Sequence, residues 1–365
     1  MNNHSESKTL EGGAALDAGR RNLLKLTGAA AAAVGVASVA GAPAFAQQNL
    51  AWDKTFPQSD RVDHQKVTYV NRLGITLVAD LYIPKNIDQS TKLPALVVGH
   101  PFGGVKEQTA GLYAQTMAER GFVTLAHDAS YQGESGNGLP DFIASPEAYQ
   151  EDFSAGVDYL GIHPLVNREQ IGVIGICGSG GFALGAAQGD PRMKVIATVV
   201  MYDIGRANRY GLHDSVSEAD RRKNIEAAAR QRWVEAEGGE KKYSLGVVEQ
   251  LTADADPISR EFFDYYRTPR GAHPRSTTAM SVSSGPALMQ SFPSDHLDWI
   301  NPRPVLLVTG ETAHSRFFSE DIHKALPGPK ELHVVPGAGH VDLYDKVDLI
   351  PWEKLESFFK QNLSA

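Results

Sequence analysis

Cysteine is almost missing from this chain: its 365 residues include one, Cys177. An intramolecular disulfide is therefore impossible, and so are a zinc site built on several thiolates and a redox pair of the CxxC kind. Runs of lysine or arginine are missing too. With 35 basic residues against 43 acidic ones the net charge is −8, which offers little to the phosphate backbone of a nucleic acid. There is no P-loop, no HExxH pair and no dinucleotide-type glycine fingerprint after a first strand. The 12 histidines are scattered, without metal-ligand spacing on any evident helix. The pattern thus calls for no cofactor and supports no metal. What is present is ordinary: 42% hydrophobic and 21% charged residues with 35 Gly and 20 Pro, a composition suited to a globular enzyme-sized chain that can bury a full core.

One long uncharged run does occur, from Leu26 to Ala46, built on Ala, Gly and Val with Pro43 near its end. So much Ala and Gly makes a poor lipid-facing surface, and Pro43 falls where a membrane anchor would have to continue. Just before it, Gly19, Arg20, Arg21, Asn22, Leu23, Leu24 and Lys25 resemble a twin-arginine export signal, and Ala44, Phe45, Ala46 fit a small-x-small cleavage site. Residues 1–46 are accordingly expected to be a removable leader, and the remainder a soluble periplasmic protein with no membrane partner.

Downstream, Val67–Arg72 and Ile75–Ile83 are rich in β-branched and aromatic residues around Gly74 and predict an opening hairpin. Leu93–Gly99, Phe122–His127, Ile171–Ile176, Val195–Met201, Pro304–Thr309 and Glu331–Val335 are short, nearly continuous apolar runs, as expected of strands buried on both faces. Helical periodicity lies between them, at Ala110, Ala114, Met117 and again at Tyr149, Phe153, Val157, Leu160, and the chain closes on Leu355, Phe358, Phe359, Leu363. This alternation predicts an α/β fold: a doubly wound, mostly parallel sheet of about eight strands. The hundred residues at about 204–301, between the sixth and seventh strands, contain no comparable strand run. A structureless loop of that length is improbable in a compact domain, so a helical cap is predicted there.

The stretch IGVIGICGSGG, Ile171 to Gly181, runs from a buried strand into a helix through Gly175, Ile176, Cys177, Gly178 and Ser179. A nucleophile on such a sharp turn needs small residues two places to either side, and Cys177 has Gly175 and Ser179. Ser179, flanked by Cys177 and Gly181, is the alternative centre. At a helix N-terminus and beside an imidazole the thiol is expected to lean toward thiolate. A candidate base, His340, follows the last strand behind Gly337, Ala338 and Gly339. His100, Pro101, Phe102, Gly103 and Gly104 follow the first buried strand and resemble the turn that supplies an oxyanion-hole amide. Pro101 has no N–H, so Phe102 or Gly103 is expected to donate, together with Gly178. Asp128, Gly133, Glu134 and Ser135 after the next strand are read as a structural turn.

From about Val67 to Leu363 these features resemble the α/β hydrolases, and the cysteine turn with a terminal histidine resembles the dienelactone hydrolases. The runs HPFGGVKEQ (100–108), Gly175–Gly181 and GAGHVDLYD (337–345) are similar to a bacterial subgroup akin to the fungal polyketide transferases. The resemblance implies an acyl-enzyme on Cys177, with hydrolysis of an ester, thioester or lactone; acyl transfer or a non-catalytic binding role are the alternatives. It also implies an acid partner for His340. The family's aspartate, three residues past the glycine that ends the seventh strand, is replaced by Ala313, which leaves Glu311 as first candidate, Asp203 as alternative and Asp321 as a remoter one. Within the cap, Phe262, Phe263, Tyr265, Tyr266, Met280, Met289 and Phe292 are candidates for an acyl pocket, and Arg206, Arg209 and Arg316 for holding a substrate carboxylate. A small-molecule substrate with a medium-sized, partly apolar acyl group is expected.

Overall fold

The computed structural model describes residues 52–88, 90–136 and 142–364; the expected leader, residues 1–46, lies outside them. An eight-stranded sheet forms the centre. Its members are β1 (Val62–Val70), β2 (Thr76–Pro84), β3 (Leu93–Gly99), β4 (Val123–His127), β5 (Val166–Ile176), β6 (Val195–Val199), β9 (Val305–Gly310) and β10 (Lys330–Val335), in the spatial order β1-β2-β4-β3-β5-β6-β9-β10. β2 pairs antiparallel with both β1 and β4, while β4, β3, β5, β6, β9 and β10 pair in parallel. The apolar runs explain this: β4, β6 and β9 are buried at every position, because helices cover both faces of the sheet.

The hairpin turn is built by Asn71, whose Oδ1 accepts the amides of Leu73 and Ile75, while Gly74 takes φ 78. The helices that position the site are α1 (Gly111–Glu119), α2 (Pro146–Gly161) and α3 (Gly178–Gly189). α2 starts on Ser145, whose hydroxyl accepts the Ala148 amide, with Pro146 in the first turn. Between β6 and β9 come α4 (Ile204–Tyr210), α5 (Glu218–Ala236), α6 (Pro257–Tyr266) and α7 (Gly285–Met289), and also a small antiparallel pair, β7 (Tyr243–Leu245) with β8 (Ala279–Ser281). The small pair was not legible in the sequence: three residues are too few for an alternation to register. α8 (Arg316–Ala325), α9 (Asp342–Asp345) and α10 (Trp352–Leu363) complete the chain. Among the described residues no helix is long and apolar enough to cross a membrane.

Strand register sets the location of the chemistry. Gly99 pairs with Gly175, Ile176 with Val199, and Val335 with Gly310, so β3, β5, β6, β9 and β10 all end at one edge. The chain leaves β3 toward β4 on one side and reaches β5 on the other, which makes that edge a topological switch point where this architecture leaves a crevice.

Candidate active site

β5 ends at Ile176 and α3 begins at Gly178, so Cys177 alone turns the chain, at φ 52 and ψ −120. That backbone region is costly for any residue with a side chain and persists only where its surroundings over-determine it. Here the Cys177 amide donates to the Val199 carbonyl and the Cys177 carbonyl accepts from Gly180 and Tyr202, each at 2.9 Å. Closeness explains the glycines. A Cβ at Gly175 would lie 2.3 Å from the Ser179 carbonyl oxygen, one at Gly178 2.7 Å from Phe102 Cβ, and one at Gly180 2.5 Å from Met201 Cβ. Ser179, the alternative nucleophile, sits in the first turn of α3 and donates its hydroxyl to the His100 carbonyl at 2.5 Å.

Cys177 is 6% exposed, and burial pushes its thiol up to about 11, although the amides of Gly178 and Phe102 favour thiolate; the Tyr344 hydroxyl is a further neighbour of the sulfur. The expected lean toward thiolate is thereby corrected: desolvation outweighs the helix N-terminus. Burial likewise drives His340, fully inaccessible, well below the usual imidazole value, and neighbouring His314 adds to the effect. The resting pair is thus neutral thiol and neutral imidazole.

Neither expected acid reaches His340. Glu311 stands directly at the end of β9, and its carboxylate turns to the adjacent strand end and accepts the Gly337 amide at 2.8 Å. Asp203 caps α4, accepting the Arg206 amide at 2.7 Å and the Ser294 hydroxyl at 2.9 Å, with its carboxyl raised by burial. Asp321 pairs with Arg206. The Nδ1 of His340 instead meets Ser315 Oγ at 2.6 Å. Ser315, fully buried, sits at the start of α8 but makes no side-chain capping bond, which leaves its hydroxyl for the ring. On the other side His340 Nε2 meets the Tyr344 hydroxyl at 3.0 Å. Sequence reading missed both. Tyr344 had a signal in its spacing, four residues after His340 and hence on the same face of a helical turn; a lone serine has none.

Aromatic rings enclose the imidazole: Tyr202 at 5.3 Å between centroids, Phe262 at 5.5 Å and His314 at 4.7 Å. His314 Nε2 meets the Tyr202 hydroxyl at 2.6 Å, and its Nδ1 lies 3.4 Å from Glu261. Tyr265 and Tyr266 pack on Tyr344. Phe262, Tyr265 and Tyr266 of the segment between β6 and β9 therefore stand at the site, whereas Phe292, 48% exposed, stacks on Arg209. The three candidate arginines are engaged elsewhere: Arg206 with Asp214 and Asp321, Arg209 with the carbonyls of Met289 and Ser291, Arg316 with Glu320.

Of the two amide candidates after β3, Phe102 is the one whose N–H faces the sulfur; the Gly103 carbonyl accepts the Ser276 hydroxyl at 2.9 Å. This turn is anchored from below. Lys106, fully buried, directs its ammonium to Glu107 (2.5 Å), Asp128 (2.9 Å) and Glu134 (2.5 Å). Those carboxylates are close enough to suggest a metal site, but the ammonium is already their counter-ion. Asp128 also accepts the amides of Lys106 and Glu134, in keeping with a structural turn.

A strained turn at the carboxyl edge of a mostly parallel sheet, with a histidine beyond the last strand, defines an α/β hydrolase, and the chain is an enzyme of that class. Within it, the chain belongs to the dienelactone hydrolase family, whose pattern matches residues 78–228. It is 51% identical to the Pseudomonas aeruginosa protein PA2218 over 86% of this chain and 84% of that one. The crystal structure of PA2218 superposes with a TM-score of 0.83 over 87% of this chain and 98% of the other. The thiohydrolase aneE of Aspergillus aculeatus is 24% identical, covering 76% and 86% of the two chains. The polyketide transferase grgF of a Penicillium species is 25% identical over 85% and 98%, and its solved α/β hydrolase structure gives a TM-score of 0.68 over 83% of this chain and all of the other.

Proposed function

We propose that the protein hydrolyses a carboxylic ester, thioester or lactone of a small molecule through an acyl-enzyme on Cys177, with His340 as base. What carries the reading is the strained backbone of Cys177, which presents the sulfur beside the amides of Phe102 and Gly178. Strain of this kind is retained where chemistry needs it. In the reading, sulfur attacks the acyl carbon, the two amides hold the oxygen that becomes negative, and the leaving alcohol or thiol takes the proton gathered by His340. Water then repeats the sequence on the acyl-cysteine. An ester or thioester leaves readily enough for this machinery, whereas an unactivated amide demands a stronger general acid. The aromatic wall of Tyr202, Phe262 and Tyr266 supports a partly apolar acyl group.

Burial of Cys177 and His340 favours a second reading, acyl transfer to an alcohol other than water, since a dry site slows hydrolysis of the intermediate. Cys177→Ala and Ser179→Ala assayed side by side on short activated esters and thioesters test the first reading. Cys177→Ala is expected to lose turnover and the acyl adduct seen by mass spectrometry, and Ser179→Ala to keep both; the reverse pattern rejects Cys177. An adduct that persists in water but discharges to an added alcohol would select transfer, and no adduct with no turnover would select a binding role.

A further inference from the structure

Tyr344 stands where a thiol and a histidine would ordinarily meet. Its hydroxyl is 3.0 Å from His340 Nε2, and the same hydroxyl faces the Cys177 sulfur. Tyr266, from α6, is a third neighbour of this oxygen. A phenol has one proton to donate and two lone pairs to accept with. With its proton given to Nε2, the Tyr344 oxygen keeps its lone pairs for its other neighbours, and the thiol is one of them. A neutral imidazole has a single basic nitrogen. With Nδ1–H donated to Ser315, that nitrogen is Nε2, and Tyr344 occupies it. Among the described residues no hydrogen bond joins the thiol directly to the imidazole, and the Tyr344 hydroxyl, which neighbours both, offers a route between them.

We infer that Tyr344 is a catalytic residue that relays the proton between Cys177 and His340. As sulfur attacks the acyl carbon, the S–H bond breaks and its proton joins the Tyr344 oxygen, while the Tyr344 O–H proton passes to Nε2. The carbonyl π pair becomes the oxyanion at the Phe102 and Gly178 amides, and Tyr344 is left neutral. When the tetrahedral species collapses, the C–O or C–S bond to the leaving group breaks, that group takes a proton from Tyr344, and Tyr344 is refilled from Nε2. Among the described residues no carboxylate touches the imidazole, so an imidazolium there is compensated by the oxyanion, which ties the proton shift to carbon–sulfur bond formation. The chain's other titratable groups facing this path are Tyr202, Tyr266, His314 and, through His314, Glu261.

The role rests on Cys177 being the nucleophile, but its test needs no acyl substrate. Cys177 is the sole thiol, so alkylation by iodoacetamide reports its proton transfer directly. At pH 8 the Tyr344→Phe variant is expected to alkylate at least about tenfold more slowly than the wild type, general-base assistance being worth roughly 10²–10⁴. The dependence of the wild-type rate on the D2O fraction is expected to be curved, as for two protons in motion, and to become linear in the variant. An unchanged or faster rate in Tyr344→Phe with a linear wild-type plot overturns the relay, because the hydroxyl would then be a plug over His340. Should Tyr344→Phe fail to fold, as read from its melting curve, 3-fluorotyrosine at position 344 retains shape and hydroxyl. A relay requires its alkylation rate to shift at least about twofold with the curved plot kept; identity with the wild type in rate, with a linear plot, overturns it. Turnover by Cys177→Ala would refute the nucleophile alone and leave the alkylation result to judge Tyr344.

Discussion

Cys177 carries two opposed influences, and burial prevails: the helix N-terminus and two amides draw the thiol toward thiolate, yet its pKa stands near 11. His340 is displaced the other way, well below the ordinary imidazole value, by burial and by His314. Each shift favours the neutral form, so the reactive combination survives over a broad range: it is lost only as pH falls through the depressed value of His340 or rises through that of Cys177. The kcat/KM on an activated ester is therefore expected to stay level from pH 8 down past 6.5, where a free imidazole would already be half protonated; an acid limb at 6.5 would contradict the burial argument. Ser315 holds the ring by one neutral hydrogen bond. Ser315→Ala should lower kcat about 10- to 100-fold with KM little changed and cost about 1 kcal/mol of stability, while Ser315→Thr should recover much of the rate.

At the scale of elements, the turns that bear the site are fastened by charge. The segment after β3 is held by Lys106 against Glu107, Asp128 and Glu134, and Arg275 adds a contact to Glu107 at 2.6 Å. Glu107 is nonetheless pushed up to about 7, by burial first and then by the nearby Asp128 charge. Removing the ammonium would leave buried carboxylates unpaired. Lys106→Met is expected to destabilise the protein by about 3–5 kcal/mol in urea unfolding and to reduce activity through the displaced Phe102 amide. The turn after β10 is fastened from the insertion: Glu261 accepts the Val341 amide at 2.7 Å, and Arg270 binds Asp345 at 2.7 and 2.9 Å. Glu261 on α6 and Arg270 in the turn beyond it thus fix the segment that carries His340 and Tyr344. The sequence marked an insertion here by its lack of apolar runs, but these grips were not legible, since each joins residues some 75 to 80 apart along the chain.

For the whole molecule, the twin-arginine reading predicts a processing event. Expressed in a bacterium with the pathway intact, the chain is expected in the periplasm with Gln47 at its N-terminus, as read by intact mass. Arg20→Lys with Arg21→Lys should leave the full-length form inside the cell; unchanged export of that variant would remove the reading. Because Cys177 has no partner thiol, the oxidising compartment would not alter the fold by disulfide formation within one chain.

What the sequence determined by itself was whatever depends on neighbours in the chain. Apolar runs set the inner strands of the sheet, because β4, β6 and β9 are buried at every position. Gly175 and Ser179, two places to either side of Cys177, announced the turn, and at Gly175 a Cβ would indeed lie 2.3 Å from the Ser179 carbonyl oxygen. The placing of His340 past the last strand was equally local. Tertiary structure decided the rest. Which group holds Nδ1 depends on α8 bringing Ser315 to a turn 25 residues further on, whereas the sequence offered Glu311 first and Asp203 as the alternative. The ionisation of the pair was likewise beyond reach, because local chemistry favoured thiolate while desolvation, a property of everything packed around Cys177 and His340, favours the neutral forms.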